Sequence, residues 1–175
     1  MKFPVLLGAC AASAALIGAH PAQAQSTGLL PFRAKVGALF PTDTNTRDRA
    51  ASTILAGELD LKIPRFLGGS FASIGYQDGG GLRTIPITIS RTYGPANPLK
   101  AVTGNVYFGL GAGVYFLQGD DGIGSSHSKT TLGGFGQIGY QFPNPYFIEA
   151  KYQGVIGKAD GLTPNGLLVF VGRRF

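Results

Sequence analysis

Apolar and polar residues alternate with a period of two along most of this chain, in runs separated by turn-forming residues. The clearest run is Phe32 to Phe40: Phe32, Ala34, Val36, Ala38 and Phe40 share one face, and Arg33, Lys35 and Gly37, with Leu39, share the other. Successive side chains of a strand point to opposite sides, so this pattern predicts a strand with one apolar face. A second run, Thr53 to Ile63, sets Leu55, Gly57, Leu59, Leu61 and Ile63 against Glu58, Asp60 and Lys62. The third, Ser70 to Gln77, sets Ala72, Ile74 and Tyr76 against Phe71, Ser73 and Gly75. In the fourth, Leu82 to Tyr93, isoleucines 85, 87 and 89 alternate with Thr84, Thr88 and Ser90. Pro86 interrupts it and predicts a bulge or a missing ladder bond, because proline has no N–H.

The fifth run, Asn105 to Gln118, opposes Val106, Phe108, Leu110, Ala112, Val114 and Phe116 to Tyr107, Gly109, Gly111, Gly113 and Tyr115. The sixth, Thr130 to Phe142, is weakened by Gly133, Gly134, Gly136 and Gly139. The seventh, Tyr146 to Val155, opposes Tyr146, Ile148, Ala150 and Tyr152 to Glu149, Lys151 and Gln153. The eighth, Leu167 to Phe175, carries Leu167, Val169, Val171 and Phe175 on one face. Eight such runs of roughly 8–14 residues fit a transmembrane barrel, whose tilted strands need about 9–11 residues to cross. The connections fit too. The second, fourth and sixth are short and Pro-rich, the third is a Gly-rich tip, and the first, fifth and seventh are longer and polar. The predicted fold is therefore all-β: an eight-stranded antiparallel up-and-down transmembrane β-barrel, with short periplasmic turns, longer extracellular loops and both ends of the chain on the periplasmic side.

Alternation does not say which face is outside. A soluble lipocalin-like barrel would bury the apolar face; a membrane barrel buries the polar one. Three features favour the membrane. Aromatic residues gather at the strand ends: Phe32, Tyr93, Phe142, Tyr146 and Phe175 toward one rim, Phe40, Tyr76, Phe116 and Tyr152 toward the other, as interfacial girdles require. The polar faces carry both signs (Arg33, Lys35, Glu58, Asp60, Lys62, Glu149 and Lys151), so they can form a hydrogen-bonded network in a lumen just wide enough for side chains. Gly109, Gly111 and Gly113 would leave room there for long neighbours such as Arg33 or Lys35. Finally, Phe175 closes an alternating strand, although Arg173 stands where a lipid-facing apolar residue is usual and must snorkel to the interface.

The beginning of the chain reads differently. Lys2, an apolar run from Phe3 to Ile17 and Ala22-Gln23-Ala24 have the layout of a cleavable secretory signal peptide, so residues 1–24 are expected to be a leader and 25–175 the barrel domain. Cys10 follows lipobox-like letters, but lipidation there would leave too short an apolar run, so it is assigned to the leader. The expected mature chain then has no Cys and only His127 as histidine, which excludes disulfides and thiolate metal sites. The formal net charge is +6, of which Lys2 supplies one unit. Spread along the sequence, it suits anionic headgroups better than nucleic acid.

The leader, the eight runs, the segments 106–116 (VYFGLGAGVYF) and 146–152 (YFIEAKY) and the final Phe175 together resemble the small OmpA/OmpX-type outer-membrane β-barrels. The resemblance covers essentially all of 25–175. It implies insertion by the barrel assembly machinery with Phe175 as the assembly signal, and a monomeric, largely plugged barrel in the bacterial outer membrane among its lipids and lipopolysaccharide. No peptidoglycan-binding domain is recognised.

Some eight-stranded barrels modify lipid A, and such a hydrolase needs a nucleophile, a base and an orienting acid within reach. Ser125, Ser126 and Ser128 surround His127, with Asp120 and Asp121 nearby, but this composition is that of any exposed polar loop. No enzyme activity, cofactor or metal is expected: one histidine makes no zinc cage, Asp120 and Asp121 lack EF-hand spacing, and Gly79-Gly80-Gly81 is followed by no Lys-Ser/Thr. The expected role is structural or loop-mediated binding of an unidentified ligand at Pro41–Arg49, Gly119–Lys129 and Ile156–Asn165. The alternative is a narrow pore for small solutes, and a lipid A-modifying barrel ranks third.

Overall fold

The computed structural model describes residues 32–63, 70–94, 104–120 and 126–175. The expected leader, its cleavage site and Cys10 lie outside these residues. Eight antiparallel strands close into one barrel in sequence order. They are β1 (Phe32–Pro41), β2 (Ile54–Lys62), β3 (Ser70–Gly79), β4 (Leu82–Tyr93), β5 (Asn105–Asp120), β6 (Ser126–Gln141), β7 (Tyr146–Val155) and β8 (Gly166–Arg174). β1 pairs with β8 along nine positions, so no strand is left with an open edge. The Phe175 N–H donates to the Phe32 carbonyl at 2.9 Å, and the two rings stack with centroids 4.7 Å apart.

The expected strands differ from these mainly at their ends. β4 and β7 have the bounds that alternation predicts. β5 and β6 run on as a protruding hairpin in which Gly119 faces His127 and Asp120 faces Ser126. Most of the expected loop Gly119–Lys129 is therefore strand, and only 121–125 fall outside the described residues. The Gly-broken sixth run is one of the two longest strands, at 16 residues. Pro86 makes no bulge. The β3–β4 register is the same on both sides of it, from Ile74↔Ile87 to Gln77↔Thr84, with the ladder interrupted between. The proline ring packs inward, 2.8 Å from where a Cβ on Gly75 would lie.

The first long connection contains a helix that alternation does not show: α1, Thr44–Arg49. Asp43 caps it, accepting from the Thr46 N–H at 3.0 Å and the Thr46 hydroxyl at 3.1 Å. The seventh connection is also ordered locally. Asp160 (φ 52°) and Gly161 (φ 77°) form a tight turn between Ala159 and Leu162, whose backbone groups bond reciprocally at 3.0 and 2.9 Å.

Two contrasting surfaces follow from the pleat. Leu55, Leu59, Leu61, Ile74, Ile85, Ile87, Ile89, Phe108, Leu110, Leu132, Ile138, Ile148, Val169 and Val171 point outward and are exposed, up to 67% for Leu110. Arg33 and Lys35 of β1, Glu58 and Asp60 of β2 and Glu149 and Lys151 of β7 point inward. On β4 the outward row reads Arg83, Ile85, Ile87, Ile89, Arg91. Eight residues at about 3.4 Å each, tilted by about 40°, place the two arginines about 20 Å apart along the barrel axis.

Candidate functional site

The interior is built in three storeys. At the end carrying α1, Leu39, Ile54, Ala56, Leu82, Leu168 and Phe170 from the strands form one apolar cluster with Leu162 from the β7–β8 connection, and Ala50 and Ala51 pack against it. Thr46 of α1 is fully buried there; its hydroxyl accepts from the Thr163 N–H at 2.9 Å, and its one proton is shared between Asp43 and the Thr163 carbonyl, each 3.1 Å away. Lys158 to Asp43 (3.1 Å) and Arg49 to the Asp160 carbonyl (3.1 Å) tie the two connections together on the outside.

The middle storey is ionic. Arg33 sits directly across the β1–β2 ladder from Asp60, and Lys35 from Glu58, because both strands put their polar positions on the inner face in this register. Arg33 Nη2 is 2.7 Å from Asp60 Oδ2, and Lys35 Nζ is 2.8 Å from Glu58 Oε1 and 3.3 Å from Asp60 Oδ2. β7, on the far side of β8 from β1, supplies the other partners: Glu149 Oε1 is 2.7 Å from Lys35 Nζ, and Lys151 Nζ is 2.6 Å from Glu58. Tyr107 of β5 donates to Glu149 Oε2 at 2.8 Å. Three cations meet three carboxylates, so the cluster is neutral. All six residues are at least nine-tenths buried, and each charge has a close opposite partner, the condition under which buried ions are tolerated. Above them, Gln77 and Gln153 exchange amide hydrogen bonds at 3.1 and 3.2 Å, and Gln153 also donates to the Pro164 carbonyl at 2.6 Å.

Of the seven polar residues proposed for the lumen, the structure brings together Arg33, Lys35, Glu58, Asp60, Glu149 and Lys151. Lys62 shares their face but lies at the end of β2, exposed, away from the ion cluster. Tyr107, Gln77 and Gln153 belong to the polar interior and were not singled out, although their inward parity marks them.

The inward glycines have a different role from the one expected. The groups nearest a Cβ on Gly109, Gly111 and Gly113 are Gln137, the Phe135 ring and residues 87–88, not Arg33 or Lys35. A recurrent pairing explains this: Tyr107 lies opposite Gly139, Phe135 opposite Gly111 and Phe147 opposite Gly172, each ring occupying the space its cross-strand glycine leaves. The rings then face the cations, with Arg33 3.9 Å from the Phe71 centroid and Lys151 4.3 Å from that of Phe135.

The third storey is open. A cavity of about 820 Å³ occupies the mouth where β1 begins and β8 ends, with Arg33 and Tyr107 toward the interior and Lys62, Asn105, Gln141 and Arg174 among its walls. On the outer side of this rim Arg173 is covered by aromatic rings, its guanidinium 5.0 Å from the Phe175 centroid and 5.8 Å from that of Tyr146.

At the other end, Asp121 and Ser125 of the hydrolase-like set lie outside the described residues. Ser126 and Ser128 are strand neighbours of His127 and so point to the opposite face from it.

A closed barrel of this kind has a solved counterpart. The crystal structure of the N-terminal β-barrel domain of Pseudomonas aeruginosa OprF is similar to this chain with a TM-score of 0.54. The two share a fold. They are 13% identical in sequence, over 85% of this chain and all of the other. No protein-family model matches this chain, and no curated protein matches it.

Proposed function

We propose that this chain is an outer-membrane β-barrel protein with a closed interior, acting as an envelope scaffold that presents the α1 end for recognition. One observation carries the reading: the barrel is apolar outside and ionic inside. A continuous belt of half-exposed Leu, Ile, Val and Phe far exceeds the apolar patches that soluble monomers expose, whereas it matches what lipid requires. Arg83 and Arg91 bracket the belt on β4, close to the height of a bilayer's apolar core in such barrels. Arg91 lies 5.2 Å from the Tyr93 ring and Arg83 5.9 Å from the Tyr76 ring, as expected of interfacial residues.

On this reading the outward belt contacts outer-membrane lipids and lipopolysaccharide, the barrel assembly machinery inserts the chain after removal of residues 1–24, with Phe175 in the assembly signal, and the barrel is a monomer. The neutral ion cluster and the apolar cluster around Leu162 support a structural interior rather than a solute pathway, and the scattered Ser/His/Asp set supports no catalytic role. Helix α1 and the Asp160-Gly161 turn support a preformed recognition surface, since they are held to each other and to the barrel. Membrane fractionation with a heat-modifiable mobility test decides the central point. The expected result is an outer-membrane protein that runs faster unheated than boiled; a soluble protein with one mobility refutes it. In planar bilayers, conductance steps of porin size would refute the closed interior.

A further inference from the structure

The described side-chain carboxylates are unevenly placed. Glu58, Asp60 and Glu149 are in the ion cluster, and Asp43, Asp48, Asp78, Asp120 and Asp160 are at the α1 end. None is at the open mouth. The described residues of the connections at that end, 63, 94, 104 and 142–145, include no Asp or Glu. Because the ion cluster neutralises itself, Lys62 and Arg174, which line the cavity, have no described side-chain carboxylate to offset them, and Arg91 stands on the outer side of the same rim. The net positive charge of the barrel is thus concentrated at one end rather than spread around it.

We infer that the open mouth is a binding site for a phosphate group. Its cavity of about 820 Å³ is large enough for a small solute or a lipid headgroup and combines three kinds of lining that suit a multiply charged oxyanion. Lys62 and Arg174 supply charge that no described side-chain carboxylate offsets. The Arg33 guanidinium, 8% exposed and held by Asp60 on one side and the Phe71 ring on the other, supplies a preorganised cation toward the inner end. Asn105, Gln141 and Asn144 supply amide donors, and Phe32, Phe71 and Pro143 supply apolar walls for whatever carries the phosphate. The charge placement is a property of the folded barrel and holds whichever membrane it occupies, so the inference stands apart from the outer-membrane reading.

The test uses the folded barrel in maltoside micelles, which contain no phosphate, titrated by calorimetry with inorganic phosphate, with glycerol phosphate and with phosphatidylglycerol in mixed micelles. Lys62→Gln/Arg174→Gln removes the excess charge from residues outside the ion cluster, and heat-modifiable mobility checks that it folds. Arg47→Gln/Arg49→Gln at the α1 end is the control, and Arg91→Gln/Arg173→Gln reports on the outer rim alone. The expected result is saturable binding that Lys62→Gln/Arg174→Gln weakens about tenfold and the control leaves unchanged. Binding of glycerol phosphate or phosphate identifies a soluble ligand, and binding of phosphatidylglycerol alone identifies a headgroup; either supports the site. A lack of saturable binding with all three probes overturns it. So does binding that survives Lys62→Gln/Arg174→Gln, including lipid binding lost only in Arg91→Gln/Arg173→Gln. Lys62→Glu alone, at the exposed end of β2, is expected to abolish binding while the barrel still folds.

Discussion

Lys151 on β7 reaches Glu58 on β2 through the barrel interior, its Nζ 2.6 Å from both carboxylate oxygens. β8 and β1 lie between these strands in the wall, so the pair braces the barrel across its lumen rather than along a ladder. Lys151→Met leaves two cations for three buried carboxylates and is expected to destabilise the barrel by about 3 kcal/mol. Adding Glu58→Gln restores the balance, with Lys35 still shared by Asp60 and Glu149. The double variant is therefore expected to be more stable than Lys151→Met alone. Urea unfolding in phosphatidylcholine vesicles measures both; additive losses would show that the two residues are not coupled.

Gly172 faces Phe147 across the β7–β8 ladder, and the ring lies where a Cβ would be. Gly172→Ala is expected to cost about 1–3 kcal/mol by overpacking, since the inner face of this wall is filled. Phe147→Leu in the same chain should recover part of that loss. If it does not, the ring is not what the added methyl meets.

Ile87 is at the centre of the outward β4 row, midway between Arg83 and Arg91. In a bilayer, Ile87→Arg is expected to destabilise the barrel by about 2–4 kcal/mol, whereas Arg91→Leu should change stability by under about 1 kcal/mol. An Ile87→Arg barrel as stable in vesicles as the parent would place that face outside the lipid.

Asp43 caps α1, and the Thr46 N–H holds its carboxyl below the ordinary aspartate value, with Lys158 adding to the effect. The cap is fully formed above about pH 4 and is lost as the pH falls through the lower value of the folded protein. Protection of the Thr46 and Arg47 amides from hydrogen exchange, taken against the intrinsic rate at each pH, should therefore fall in acid. Asp43→Ala is expected to cost the cap about 1 kcal/mol at neutral pH. Asp43→Asn keeps most of the cap and removes its acid sensitivity.

Much of this architecture can be read along the chain, because strand parity is a one-dimensional signal. β4 and β7 have their observed bounds in the sequence, and inward parity alone selects Arg33, Lys35, Glu58, Asp60, Glu149 and Lys151. What parity does not reveal is register between strands. Whether Gly111 makes room for Lys35 or for Phe135 depends on which residue stands opposite, and that is decided by how β5 and β6 slide before they pair. Register also explains why the Gly-rich β6 is long: its Gly139 and Gly133 lie against Tyr107 and Tyr115 of β5 and help to seat those rings. Two local features were visible as short motifs. Asp43-x-x-Thr46 is a helix start, and Asp160-Gly161 is a tight-turn dipeptide. Lys62 shows the converse limit, since the right parity at the end of a strand places a side chain in the mouth.

The seam between β1 and β8 orders events in time as well as in space. β1 is the first barrel strand to be made, and one of its edges has no partner until β8 arrives. Every shorter assembly has two raw edges, each able to pair with a foreign strand. Joining strands so distant in sequence is slow compared with forming any hairpin between neighbours. The last contacts to form are thus among those that involve the earliest residues of the barrel, and an interrupted assembly is not a smaller barrel but an open sheet.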